Sequence, residues 1–278
     1  MLLAAYVTGA FCVAATGAWY TLRRMCPAEA RIMLRMGLFL AAILVPVQLL
    51  FGHLVGDYVH RYQPIKFATI EARWHDEQPA SEVLLAWPDA THEKNDYAIS
   101  VPVLGSLIAS MTLDSKEVGL TDFPRGERPP IVIPFFAFRV MVGCGLLMLL
   151  VAWGGTLLSL KERLLQQRAF LWPVFLCFPL PFIATLTGWF TAEVGRQPWT
   201  VYGLLRTADA LTPFLTARAA AGSLLVFCAT YIFIFAFGTF YIYRLLKGGP
   251  AEDLLHTAPA ALPNRPLSVA ADLPSTVK

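Results

Sequence analysis

Hydrophobic and polar positions alternate in long blocks along this chain of 278 residues. Five apolar runs reach the length of about 20 residues that a helix needs to cross the hydrocarbon core of a bilayer. They are Met1 to Leu22, Ile32 to Val55, Ile131 to Leu160, Ala169 to Ala192 and Ala219 to Tyr243. The pattern predicts an all-α membrane protein with about five transmembrane helices and one long loop between the second and the third.

The short polar segments indicate how the chain lies in the membrane. Lys and Arg are concentrated in residues 23–31 and 161–168, and they follow the last run at Arg244 and Lys247. The positive-inside rule puts these segments in the cytoplasm and residues 56–130 on the outer side. We therefore predict two transmembrane helices over residues 1–55, an outer loop over 56–130, three transmembrane helices over 131–247, and a disordered, proline-rich cytoplasmic tail over 248–278.

The composition agrees with this pattern and excludes several classes of protein. Hydrophobic residues make up 56% of the chain, charged residues 15%, and the mean hydropathy is +0.57, as in an integral membrane protein. The net charge of +3 is small and the positive residues are scattered, so we expect no nucleic-acid partner. No phosphate-binding loop, dinucleotide motif or nucleophile elbow occurs, and the cysteines have no zinc or disulfide spacing.

The segment AEVGRQPW, residues 192–199, puts charges where the fourth run meets the membrane surface. A carboxylate such as Glu193 is costly near hydrocarbon unless it is paired or ligated, so it is a candidate functional residue. Arg196 follows at i+3, on the same face of a helix. Gly195 and Pro198 predict that the helix ends here. We therefore predict a fixed polar site at this point.

Two residues of the third run could also carry chemistry. Arg139 lies roughly 12 Å along the helix from the start of the run, at about 1.5 Å per residue. A guanidinium there needs an anionic partner, or it must extend back to the outer interface. Met141 has a soft thioether, which can be an axial ligand of haem iron or can simply pack against other helices.

The predicted outer loop contains Lys66 and Glu71, five residues apart. On a helix they would lie on different faces, about 140° apart, and would not form an ion pair. Phe67, Ile70 and Trp74 form an apolar stripe at helical spacing. This stripe predicts an amphipathic helix on the membrane or on the protein's own outer surface.

Three motifs together resemble a known family. They are QPIK at residues 63–66 followed by Glu71, FRVMVG at 138–143, and GWFTAEVGRQPW at 188–199. In this order they resemble subunit I of the cytochrome bd family of quinol oxidases. The third motif is the most specific, and the resemblance covers almost the whole chain apart from the proline-rich tail. The loop is short for the family and is similar to the short-loop class, which includes cyanide-insensitive oxidases.

The resemblance implies a haem role for five residues. Met141 would be an axial ligand of the iron of a low-spin haem b, and Arg139 would stabilise the charge or the propionates of that haem. Glu193 would ligate or neutralise the iron of a high-spin haem b that works beside haem d. Arg196 would lie near the propionates of the high-spin haem, and Trp189 belongs to the same cofactor-binding motif.

The resemblance also implies an activity and partners. Lys66 and Glu71 would belong to the quinol-oxidising loop, and oxygen would be reduced to water. The expected partners are oxidase subunit II, a small single-helix subunit, quinol and membrane lipid. The expected location is a bacterial inner membrane, with the C-terminus in the cytoplasm.

The number of spans differs from that of the family. The family's subunit has nine spans and carries haem-ligating histidines on the first five, whereas this chain has five. We therefore expect the chain to be the C-terminal portion of such a subunit and to be inactive by itself. The alternative is a non-catalytic membrane scaffold or transporter in which Arg139 and Glu193 line a solute path.

Overall fold

The computed structural model describes residues 1–212 and 215–249. The tail predicted over residues 248–278 lies outside the described residues from residue 250 onward. In chain order the helices and strands are α1 (Leu2–Arg23), α2 (Pro27–Tyr62), α3 (Pro64–Glu71), β1 (Glu82–Asp89), β2 (Lys94–Val101), α4 (Leu104–Ser110), α5 (Val132–Leu160), α6 (Arg168–Leu176), α7 (Leu180–Val194), β3 (Trp199–Val201), β4 (Leu205–Arg206) and α8 (Ala217–Gly248). Two short 3-10 turns, Leu120–Asp122 and Arg125–Glu127, precede α5.

The five predicted membrane spans are confirmed. The described residues contain five helical segments long and apolar enough to cross a membrane, namely α1, α2, α5, the α6–α7 segment and α8. The fourth span is broken, because α6 ends at Leu176 and α7 begins at Leu180, after Pro179. A proline ring cannot donate the helical hydrogen bond at its position, which accounts for a break here.

Helix α2 is longer than the apolar run that predicted it. It passes through Pro46 and continues beyond Val55 to Tyr62. Its end is explained by Pro64, which disfavours helical geometry at the preceding Gln63. The first two turns of the predicted outer loop therefore belong to α2, and we call the remainder, residues 63–130, the 63–130 loop.

Small residues allow α1 and α2 to pack closely. A Cβ atom on Gly37 would lie 2.6 Å from the backbone oxygen of Ala10, so only glycine fits there. Apolar helices in a membrane associate through such close backbone contacts because lipid gives them little hydrophobic driving force. Helix α5 packs against α2 and α7. From residue 221 onward, α8 belongs to a second compact unit. It is a continuous helix of 32 residues.

The 63–130 loop has a hydrophobic core of its own. Strands β1 and β2 form an antiparallel hairpin in it. The buried residues of its core are Ile65, Ala68, Ala72, Trp74, Val83, Ala86, Leu120, Ile131 and Phe135. The predicted amphipathic helix is therefore α3, which packs on the protein itself. It ends at Glu71, so Trp74 lies beyond it and joins the same core from the following turn.

An exposed ion cluster lies at the other end of α5. Glu162, directly after the helix, accepts hydrogen bonds from Arg31 and Arg35 of α2. The side chain of Glu162 is 61% exposed. This cluster joins two neighbouring spans at the end of the bundle opposite the 63–130 loop.

Candidate active site

The side chain of Arg139 extends from α5 to the 63–130 loop. Long side chains of a helix point towards its N-terminus, which brings the guanidinium near the start of α5. It donates hydrogen bonds to backbone oxygens of Val83 and Leu84 at 2.9 Å, Ile70 at 2.8 Å and Phe135 at 3.1 Å. The side chain is only 13% exposed. Through these hydrogen bonds, Arg139 holds the 63–130 loop against α5.

Two buried carboxyl groups flank Arg139. Its Nη2 lies 3.7 Å from Oε2 of Glu71 and 3.5 Å from Oε1 of Glu82. Burial raises the pKa of Glu82 to about 9, and the charge of Glu71 and a hydrogen bond to it act in the same direction, against the opposing charges of Arg139 and Arg73. Burial in this cluster therefore favours the protonated form of Glu82.

A polar cavity of about 230 Å³ lies beside Glu71. Its lining includes Glu71, Arg73, Trp74, Ser81 and Asn95. Among the described residues, Oε2 of Glu71 and Nη1 of Arg73 are buried without a hydrogen-bond partner. Buried polar atoms are rarely unsatisfied, so these two atoms indicate a place for water or a polar ligand.

Lys66 lies on a different side of α3 from Glu71, as their spacing predicts. Its Nζ donates a hydrogen bond to the backbone oxygen of Ala192 at 3.1 Å. Its aliphatic part lies close to Gly195, where an added Cβ would be 3.5 Å from Cε of Lys66. Burial lowers the pKa of Lys66, the charge of Arg196 lowers it further, and the charge of Glu193 opposes the shift. Lys66 therefore joins the loop to the end of α7.

Glu193 and Arg196 form the predicted ion pair at the end of α7. Oε2 of Glu193 lies 2.6 Å from Nη2 of Arg196. The helix ends at Val194, directly before Gly195, as the sequence predicts. The two side chains are 40% and 44% exposed, and the large ring of Trp189, one turn earlier, is also exposed. This end of α7 therefore presents a charged pair and an aromatic ring to its surroundings.

Met141 and Arg139 are both on α5, but Met141 packs against α7, whereas Arg139 contacts the 63–130 loop. A Cβ atom on Gly188 of α7 would lie 2.9 Å from the sulfur of Met141. The absence of a side chain at Gly188 therefore makes room for this thioether between the helices. Within the described residues, no group of three or more His, Cys, Asp or Glu side chains is arranged to hold a metal ion.

A further buried carboxylate, Glu117, was not predicted. It accepts hydrogen bonds from the hydroxyls of Ser110 at 2.8 Å and Ser115 at 2.9 Å, and it lies 2.6 Å from Nε2 of His60 at the end of α2. Arg73 and Glu82 were not predicted either. The fold of the loop brings Glu117 to His60 and brings Arg73 close to Glu82, so local spacing gave no signal for these contacts.

Comparison with known proteins identifies the family. The model of the family described as cytochrome bd terminal oxidase subunit I matches residues 1–250. The chain belongs to this family. Proteins of this family contain haem, and they are subunits of larger oxidases.

Individual relatives agree with this assignment. The chain is 29% identical to cytochrome bd ubiquinol oxidase subunit 1 of Bacillus subtilis, over 94% of this chain and 58% of that protein. It is 27% identical to cytochrome bd-II ubiquinol oxidase subunit 1 of Escherichia coli, over 90% of this chain and 61% of that protein. The chain thus spans about three fifths of the length of these cytochrome bd relatives.

A solved structure has the same fold. The bd oxidase of Geobacillus thermodenitrificans superimposes with a TM-score of 0.78 at 30% sequence identity. The match covers 90% of this chain and 57% of the other. The predicted membership of the cytochrome bd family and the predicted helical fold are both confirmed. The haem and quinol roles of individual residues stay predictions.

Proposed function

We propose that this chain carries the quinol-oxidising site of a cytochrome bd-type terminal oxidase, which reduces oxygen to water. The observation that carries this proposal is the convergence of three separate motifs through direct contacts. Lys66 of the first motif contacts Ala192 of the third, Glu71 lies beside Arg139 of the second, and Met141 packs against Gly188. Residues spread over more than a hundred positions thus form one continuous region.

Glu71 is the residue we assign as base for the quinol hydroxyl. It is buried, its Oε2 has no hydrogen-bond partner among the described residues, and Nη2 of Arg139 lies 3.7 Å from that oxygen. A base must be within hydrogen-bond reach of the proton that it takes, and an unpartnered carboxylate oxygen meets that need. Lys66 lies on a different side of α3, at the end of α7, and we assign it to hold a quinol oxygen by donating a hydrogen bond.

The chain's residues fit haem as the cofactor of this family. Met141 offers a thioether in a gap between α5 and α7, a suitable donor for the iron of a low-spin haem b. Glu193 and Arg196 at the end of α7, with the exposed ring of Trp189, offer a carboxylate, a cation and an apolar face for a high-spin haem b beside haem d. Bound haem supplies the one-electron and oxygen chemistry that no side chain supplies.

The remaining assignments follow from membership of the family. We propose that oxidase subunit II and a small single-helix subunit are the protein partners and that quinol arrives from the lipid. The proposed location is a bacterial inner membrane, with the 63–130 loop on the outer side and the C-terminus in the cytoplasm. The clusters of Lys and Arg in the short loops support this orientation.

The test of the quinol site uses the oxidase purified in mild detergent with the subunits that assemble with this chain. We expect Glu71→Gln to lower the rate of quinol-dependent oxygen uptake by about 10²–10⁴-fold, the usual contribution of a positioned base. Asp114→Asn, at an exposed carboxylate of the same loop, is the matched control and should leave the rate unchanged. Unchanged oxygen uptake in Glu71→Gln would reject this assignment.

A second measurement separates an oxidase from the alternative of a scaffold or transporter. Glu193→Gln should remove or shift the optical absorbance of a high-spin haem in the same preparation. If the unmodified assembly holds no haem, or if the variant keeps its haem spectrum and loses uptake of a solute instead, the oxidase proposal is wrong.

A further inference from the structure

One side of the β1–β2 hairpin is apolar and exposed. The inward side chains of β1, Val83 and Ala86, belong to the core of the 63–130 loop. On the other side of β1, Leu85 and Trp87 are 55% and 59% exposed. Ile99 of β2 is the direct partner of Leu85 in the strand register and is 58% exposed. Exposed apolar surfaces of this kind mark places where a protein or a membrane binds.

The polarity of the hairpin changes along its length. Residues 97–113, which run from β2 through α4, contain no charged side chain. Their exposed large apolar residues include Tyr97, Ile108, Met111 and Leu113. The exposed charges of the hairpin are near its turn, where Lys94 and Asp96 pair at 2.8 Å, whereas Glu82 at the base is directed inwards to Arg139. The exposed surface is therefore apolar at the base of the hairpin and charged near the turn.

Two contacts with α5 set the direction of this change. Arg139 donates hydrogen bonds to the backbone oxygens of Val83 and Leu84, near the base of the hairpin. Farther along β1, the ring centroid of Trp87 lies 5.7 Å from that of Phe136. Phe136 is three residues closer to the start of α5 than Arg139, or about 4.5 Å along the helix axis. The base of the hairpin therefore lies nearer to the middle of the span, and the turn lies farther out.

The length of α5 relates these contacts to the edge of the bilayer. The helix ends at Leu160, and the charged residue Lys161 follows directly. About 20 helical residues cross the hydrocarbon core, so counting back from Leu160 puts the other edge of the core near Met141. Arg139 and the base of the hairpin lie just beyond that edge, at the level of the lipid headgroups.

Trp87 meets α5 on an exposed face of that span. Ile133, Phe136 and Val140 are spaced at i, i+3 and i+7, so they lie on one face of the helix. Ile133 and Val140 are 50% and 44% exposed. The apolar side of the hairpin therefore continues the exposed face of a membrane span, at the depth where tryptophan is enriched in membrane proteins.

We propose that the β1–β2 hairpin lies in the outer headgroup layer of the membrane, with Leu85, Trp87 and Ile99 against lipid. Lipid fits this surface because the hairpin changes from apolar to charged with distance from the bilayer, as a membrane interface does. The hairpin has open strand edges, which hydrocarbon does not tolerate, so only its side chains reach the acyl chains. The inference does not rest on the proposed quinol oxidation.

Spin labels measure the depth of the hairpin directly. The chain, with the subunits that assemble with it and with its native cysteines replaced by alanine, is reconstituted in nanodiscs of phosphatidylcholine and phosphatidylglycerol. A nitroxide is attached after the single changes Leu85→Cys and Ile99→Cys, and Thr91→Cys, in the turn, is the matched control. We expect the first two labels to collide more with oxygen, which dissolves in lipid, than with a water-soluble nickel complex, and the control to show the reverse.

Two results of this measurement would overturn the proposal. Labels at Leu85 and Ile99 that collide mainly with the nickel complex would mean that this side of the hairpin lies in water. Labels that are immobile and reached by neither reagent would mean that another protein surface covers the hairpin.

Fluorescence quenching tests the same contact with every native cysteine in place. The nanodiscs are made with lipids brominated on the acyl chain close to the headgroup, where bromine quenches nearby tryptophan. We expect Trp87→Phe to lose part of the quenching seen in the unmodified chain. Trp74→Phe, at a tryptophan only 7% exposed in the core of the loop, is the matched control and should not reduce the quenched fraction. Equal quenching in Trp87→Phe and the unmodified chain would contradict the lipid contact.

Discussion

The two ends of α5 carry ion clusters with opposite arrangements of charge. Near its start, one guanidinium, that of Arg139, lies between two buried carboxyl groups, Glu71 and Glu82. Just after its end, one exposed carboxylate, Glu162, lies between two guanidinium groups, Arg31 and Arg35. Water and salt screen the exposed cluster, whereas burial of the other raises the pKa of Glu82. Burial therefore distinguishes the two clusters, although each of them connects α5 to a neighbouring part of the chain.

The largest expected difference between the two clusters is in how much each contributes to the free energy of unfolding. Arg139→Gln removes the cation from two buried carboxyl groups and leaves several backbone oxygens of the loop without their donor. Breaking a buried ion pair by removing one partner costs about 3–5 kcal/mol. We expect a loss of this size in the free energy of unfolding in mixed micelles. Arg35→Gln, at the exposed cluster, is the matched control, and an equal loss in both variants would contradict the comparison.

An effect that is smaller per pH unit should appear in the pH dependence of stability. Because the folded pKa of Glu82 is raised from 4.5 to about 9, its contribution to stability is fully present below pH 4.5 and is lost as the pH rises towards 9. One proton gives a slope of at most about 1.4 kcal/mol per pH unit. Glu82→Gln keeps a hydrogen-bond donor to Glu71 but cannot ionise.

We therefore expect Glu82→Gln to be more stable than the unmodified chain at about pH 8 and to lose that advantage at about pH 4.5. Thermal unfolding of the purified chain across this range measures the difference. A constant offset between the two chains at every pH would mean that Glu82 does not hold a proton in the folded state.

The smallest effect is expected at the exposed cluster. Glu162→Gln removes the carboxylate that Arg31 and Arg35 share, but exposed ion pairs contribute little and are weakened by salt. The midpoint of thermal unfolding at physiological salt should stay within the error of the measurement. A clear loss that disappears in high salt would instead mean that this end of the bundle depends on charge.

Hydropathy predicts most of this fold because a membrane requires every backbone hydrogen bond to be satisfied within the span. For that reason the five spans could be predicted, as could the end of α7 before Gly195. The spacing of Lys66 and Glu71 also predicted their separation. The break after Leu176 was harder to predict from the sequence, because prolines in membrane helices more often produce kinks than helix ends.

The buried part of the site could not be predicted in the same way. Glu82 looks like an ordinary polar start of a strand, and only the folded loop brings it to Glu71 and Arg139. His60 and Glu117, 57 positions apart, likewise meet through the packing of the loop on the end of α2. Such partners depend on tertiary contacts, which local periodicity does not contain.

The hydrogen bond from Lys66 to the backbone oxygen of Ala192 has a consequence for motion. The last carbonyls of a helix lack partners within the helix, and here a cation from another element supplies one of them. We therefore expect the last turn of α7 and helix α3 to open together, and their amides to exchange with solvent as a single unit. Local unfolding of the loop would thus loosen the segment that holds Glu193.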